Sequence, residues 1–273
     1  MLSGDDMLPD MAVGRIPVNT TSEAENVINK IIWYEQNQLN LTPTGAWQKA
    51  PSSWPIEQEQ AAPTAPPTKT LSAPCCPPAL TKPIFAWMIM ICPTASLPEG
   101  DMRGDMGEAL LDGISLINYR GHGSVQFWGG YGGADMILDA SQPDEDLRQF
   151  WQNNTKPAVI ISADCLDGHF AHTNRTALSE RYLRLGELKA TAAHWSSSGL
   201  GFESEHTPLV SGFYTGLFGQ GHTAIGDAIN YAKVYYTTTN YHQDELYAFN
   251  LQGDPAMQLF SPGDKLDHAG RHK

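Results

Sequence analysis

Gly113-Ile114-Ser115-Leu116-Ile117-Asn118-Tyr119-Arg120-Gly121-His122-Gly123-Ser124 gives the plainest clue to the architecture of the chain. The apolar run Ile114 to Tyr119, bounded by glycines, has the pattern of a strand buried on both faces. It ends in His122 between two glycines, where a tight turn lifts an imidazole clear of the sheet edge. The pattern recurs at Pro157-Ala158-Val159-Ile160-Ile161-Ser162-Ala163, a second buried strand that runs into Asp164-Cys165-Leu166-Asp167-Gly168-His169-Phe170. Neighbouring parallel strands of this kind set a base beside a thiol, the arrangement that nucleophilic catalysis needs.

The rest of the chain supplies helices between strands. Residues 10–18 read as a strand closing on Pro17. Asn19 to Ser22 offer N-cap oxygens, and the helix expected over 22–36 carries Ala24, Val27, Ile28, Ile31 and Ile32 on one face. Residues 106–111 read as a helix end, 126–133 as a glycine-rich aromatic loop, and 144–151 and 177–185 as helices. A third strand with small residues over 189–195 leads into Ser196-Ser197-Ser198-Gly199. Helices are expected over 207–218 and 224–236, and a closing strand at 247–251 precedes Gly253-Asp254-Pro255. Alternation of this kind implies a mainly parallel sheet covered on both sides, with ligands at the carboxyl ends of its strands.

The 273 residues suffice for one α/β domain, and a net charge of −13 argues against a nucleic-acid backbone as partner. No run approaches the length of a membrane helix, and the N-terminal residues have neither the basic leader nor the apolar stretch expected of a signal peptide. Its opening, Met1-Leu2-Ser3-Gly4-Asp5-Asp6, looks like the middle of a domain, so the chain is expected to be a piece of a longer protein.

Residues 50–98 differ in character, holding eleven of the nineteen prolines, three of the four cysteines and four charged residues. A disordered Pro-rich linker is one reading. The genetic code suggests another. The codons of Trp87-Met88-Ile89-Met90-Ile91, read from the third base of the codon before, give Leu (or a similar residue)-Asp-Asp-(Tyr, His or Asn)-Asp. The same frame permits Ala-Val-Phe-Val-Ala-Asp over residues 50–56. Translation out of frame is the preferred reading, and it leaves Cys165 as the one cysteine that belongs to the fold. The chain therefore divides into 1–49, the anomalous 50–98, 99–260 and a polar tail over 261–273.

In the chemical reading, the Cys165 thiolate attacks a carbonyl and His122 moves the proton, while the backbone N–H groups of Gly123 and Cys165 hold the oxyanion. Gly168 is assigned the sharp turn after the sulfur. Trp128, Ser196, Ser197, Gly199, Phe202 and Glu203 are candidate pocket residues. Glu203 and Glu205 would favour a basic side chain, although solvated surface acids are the plainer reading. Cys165, His169 and His172 have the composition of a zinc site without a standard spacing, so neither metal nor cofactor is assigned. His194 reads as a core or rim residue, and His206, His222 and His242 as loop residues. No nucleophile-elbow pattern surrounds Ser196.

At these residues the chain resembles the catalytic domain of gingipain-type cysteine peptidases, relatives of the caspases. The resemblance runs through residues 10–35, 113–124, 157–170, the strand into Ser196 to Gly199, and 249–255. It implies a caspase-like α/β/α sandwich around a mainly parallel sheet, with one core strand lost to the anomalous segment. It also implies a His122–Cys165 dyad, an endopeptidase acting on polypeptide, secretion or surface display, and further domains of a larger precursor. In that family an acid after the next sheet strand steadies the histidine; here Pro55 or Ile56 stands in its place. A catalytically impaired remnant serving as a binding or structural module is the alternative.

Overall fold

The computed structural model describes residues 8–37, 88–91, 114–129, 136–141, 156–186, 188–239 and 241–259. Five strands make the main sheet in the order β1 (Met88–Ile91), β2 (Leu116–Arg120), β5 (Ala158–Ala163), β6 (Thr191–Ser197) and β7 (Phe249–Gln252). The first four are parallel and β7 runs antiparallel to β6. Two further strands, β3 (Phe127–Gly129) and β4 (Met136–Asp139), form a separate antiparallel ribbon. The strand β1 lies within the segment set apart at 50–98, whereas residues 50–56 fall outside the described residues.

Every residue of β5 and β6 is buried, as their unbroken apolar runs require for central strands covered on both faces. On one face Trp195 packs with Phe213 of α3 (Glu203–Tyr214) and with Ala228 and Ala232 of α4 (Ile225–Thr237). On the other, Ile117 and Ile160 pack with Tyr182 of α2 (Leu178–Arg184) and with Trp128 of the ribbon. The sheet is thus enclosed between helical layers. A short helix, α5 (Glu245–Ala248), leads into β7. Among the described residues no helix is long and apolar enough to cross a membrane.

Helix α1 (Thr21–Asn37) starts on a reciprocal cap: Glu23 N–H donates to Thr20 Oγ1 at 3.2 Å and Thr20 N–H to Glu23 Oε2 at 3.3 Å. Its buried stripe is Val27, Lys30, Ile31 and Tyr34, so the face is rotated from the expected one and Ile28 and Ile32 stay about half exposed. Lys30 is the cause. Its Nζ donates to the carbonyls of Tyr182, Leu183 and Lys189 at 3.0, 2.6 and 3.2 Å, which helps satisfy the C-terminal end of α2 and lets the apolar stem lie in the core.

Three other expectations need correction. Residues 10–18 form no strand. Arg15 alone bridges in parallel to Gln252, because Pro17 has no N–H to continue a ladder. The supposed loop 126–133 contains β3. Helix α3 begins before residue 207, at Glu203, and ends in a π-helical turn over Thr215–Gly219. His206 is therefore a buried helical residue. The helices expected over 106–111 and 144–151 lie outside the described residues.

Candidate active site

The register of the two central strands builds the site. Arg120 is paired with Ala163 where β2 and β5 end, and His122 and Cys165 each follow two residues later on the same rim of the sheet. Adjacent parallel strands lie about 4.8 Å apart. Gly121 N–H donates to Ala163 O at 3.4 Å, carrying the contact past the last strand pair. A Cβ built on Gly123 would overlap Asp164 Oδ2 and stand 2.6 Å from Cys165 O, so the histidine turn rests directly on the cysteine turn. Only glycine fits there.

The histidine turn is tied from the ribbon side. His122 O accepts from Gly129 N–H at 2.8 Å and from the Tyr119 hydroxyl at 2.6 Å, and Ser124 N–H donates to Phe127 O at 2.9 Å. The Tyr119 ring stacks on Trp128 with centroids 4.1 Å apart. The imidazole of His122 is left on the exposed side. Gly123 N–H and Cys165 N–H carry no backbone hydrogen bond among the described residues.

Cys165 is half-buried, and its thiol donates to Gly201 O at 3.5 Å. Leu166, not Gly168, makes the sharp turn after it, with φ of 67°. Gly168 serves close packing instead: a Cβ there would stand 2.6 Å from Ser196 Oγ and 3.0 Å from Ser197 O. Leu166 N–H and Gly168 N–H donate to Gly199 O and Ser197 O, each at 3.0 Å, fastening the cysteine loop to the end of β6.

The candidate pocket residues fall into two groups. Trp128, Ser196 and Ser197 are wholly buried beneath the rim. Phe202 and Glu203 are exposed and Gly199 is half-buried. Glu203 pairs with Arg120 at 3.0 Å, whose guanidinium also reaches Thr207 Oγ1 at 2.6 Å. Glu205 is buried, which corrects its reading as a solvated acid.

Sequence reasoning passed over the groups behind Gly201. A Cβ on Gly201 would overlap His206 Nε2 and Glu245 Oε1, and those two side chains approach to 3.6 Å. Burial lowers the His206 pKa to about 4 and raises that of Glu245 to about 7, with Glu205 and Asp244 adding to the latter. It also passed over Asp167. That carboxylate accepts from Trp128 Nε1 at 2.9 Å and meets His194 Nε2 at 3.1 Å, so His194 is indeed a core residue. The only signal was an acid two positions after Cys165. His169 and His172 meet edge to face at 5.7 Å, and among the described residues no three His, Cys, Asp or Glu side chains gather as a ligand set.

The model of peptidase family C25 matches residues 1–260. The chain belongs to peptidase family C25. Its fold is the caspase-like fold of the gingipains, and the domain is of the cysteine-peptidase type. It is similar to the crystal structure of the Arg-specific cysteine proteinase gingipain R (RGPB), with 15% identity, a TM-score of 0.61, and coverage of 94% of this chain and 57% of that one. It is similar also to the complex of Porphyromonas gingivalis RgpB pro- and mature domains, with 16% identity, a TM-score of 0.63, and coverage of 93% and 58%. This family C25 chain thus spans under two thirds of the length of the gingipain structures it matches. No curated protein matches it.

Proposed function

We propose that this family C25 domain is the catalytic part of a secreted or surface-held cysteine endopeptidase, one piece of a larger precursor. Cys165 Sγ attacks the scissile carbonyl carbon, forming the C–S bond as the carbonyl electrons move to oxygen. The N–H groups of Gly123 and Cys165 receive that oxyanion. His122 takes the thiol proton and returns it to the leaving amine as the C–N bond breaks; water then hydrolyses the thioester by the same groups in reverse.

The observation that carries this reading is the matched register of His122 and Cys165 on β2 and β5, with Gly123 in contact with the cysteine turn. Labelling with a peptidyl acyloxymethyl ketone or iodoacetamide at mild pH tests it. Labelling of Cys165 faster than a free thiol, lost in His122→Ala, is expected. Equal rates in the two proteins would overturn the reading in favour of a remnant.

A further inference from the structure

Beneath the rim lies a pair of carboxyl groups that the peptidase chemistry above leaves unused. Asp164 is 1% exposed and Asp167 wholly buried. Asp167 Oδ2 is served by Trp128 and His194. Asp167 Oδ1 and both oxygens of Asp164 have no hydrogen-bond partner among the described residues. The buried Ser162 hydroxyl lies beside Asp164 as a further donor, but two ionised carboxylates held together out of water repel each other, and keeping one of them protonated removes that repulsion. A proton on Asp164 adds a donor between the two carboxyl groups.

The two environments differ in the sense this requires. Burial, and then the field of Asp167, push Asp164 well above the usual carboxylate range. Burial would push Asp167 up as well, but the field of His194 and the hydrogen bonds of His194 and Trp128 outweigh it and hold that group low. The titratable groups around the pair are Cys165, next in the chain; His122, whose turn rests on Asp164; His194 on β6; and His206 on α3, which feels the charge of Asp167.

We propose that Asp164 is a positioning residue of the rim: a neutral carboxyl, its proton directed to Asp167, that seats the Gly123 turn and so fixes His122 beside Cys165. This rests on the dyad proposed above. The carboxyl is the surface on which Gly123 lies, and its neutrality keeps a second negative charge from the neighbouring sulfur when the thiolate forms.

Infrared spectroscopy and Cys165 alkylation test the two halves together. The wild-type protein is expected to show the carbonyl stretch of a protonated carboxyl at neutral pH, kept in Glu245→Gln and lost in Asp164→Asn. Asp164→Ala is expected to slow alkylation by iodoacetamide at least about tenfold, and Asp164→Asn, which retains the shape and a donor, to restore it to within about twofold of wild type. Absence of the Asp164-dependent band, readable in the wild-type protein even if Asp164→Ala fails to fold, overturns the proposal. So does an Asp164→Ala protein that alkylates at the wild-type rate. Failure of the dyad gives a different result: His122→Ala alkylates like wild type while the band remains.

Discussion

Trp128 donates its indole N–H to Asp167 at 2.9 Å, joining the ribbon β3–β4 to the loop that carries Cys165. Because Trp128 also stacks on Tyr119, whose hydroxyl holds His122 O, one hydrogen bond aligns both halves of the site. Trp128→Phe keeps the stack and removes the donor. It is expected to cost about 2 kcal/mol, the scale of a bond to a charged acceptor. Chemical denaturation should read that loss, and Cys165 alkylation should slow with it.

Gly123 has no room for a side chain. Gly123→Ala is expected to destabilise the fold by about 3 kcal/mol and to abolish fast labelling of Cys165, because the new methyl must displace Asp164 or the Cys165 carbonyl. Leu166→Gly is the contrasting variant. Relief of the left-handed backbone at Leu166 offsets the added freedom of the unfolded chain, so stability should move by less than about 1 kcal/mol. Melting curves of the two variants side by side check both.

Lys30 donates to three carbonyls, two of them in the last turn of α2. Lys30→Met keeps the buried stem and loses the donors, and about 3 kcal/mol of stability should go with them. Urea titration measures it. Labelling of the folded fraction of Lys30→Met should stay near wild type, since the residue lies at the far end of α2 from the rim.

His206 and Glu245 give opposing pH dependences. The folded pKa of His206, about 4, lies below its ordinary 6.5, so the unfolded chain binds more protons between those values and stability falls as pH drops through that window. The folded pKa of Glu245, about 7, lies above its ordinary 4.5, so its stabilising contribution is present below 4.5 and lost as pH rises towards 7. In the wild type the two slopes offset each other. Glu245→Gln should expose the first slope and His206→Asn the second, read from denaturation midpoints across the acid range.

How far the sequence revealed this arrangement depends on the kind of signal each part carries. Strands β2, β5 and β6 were legible because unbroken apolar runs bounded by glycine admit few alternatives, and with them came the shared rim of His122 and Cys165. The buried face of α1 was misread because Lys30 is charged, and nothing local announces three carbonyls supplied by residues 182–189. Helix α3 starts at Glu203, ahead of the expected residue 207, and carries Pro208 inside it, so His206 is helical and does not lie in a loop. The β3 strand hid in a glycine-rich run. The roles of Asp164 and Asp167 come entirely from tertiary burial, for in sequence both look like loop acids beside a cysteine.

The bridge from Arg15 to Gln252 has a consequence for biosynthesis. Arg15 N–H donates to Leu251 O at 2.9 Å and Gly253 N–H to Arg15 O at 2.8 Å, closing the outer side of β7 across nearly the whole chain. A nascent polypeptide cannot make this closure until residue 253 has left the ribosome. Until then the strand β6, which supports the cysteine loop, lacks its antiparallel neighbour. Among the described strands β7 is therefore the last to be synthesised, and the sheet edge that supports the cysteine loop is completed by residues far downstream of Cys165.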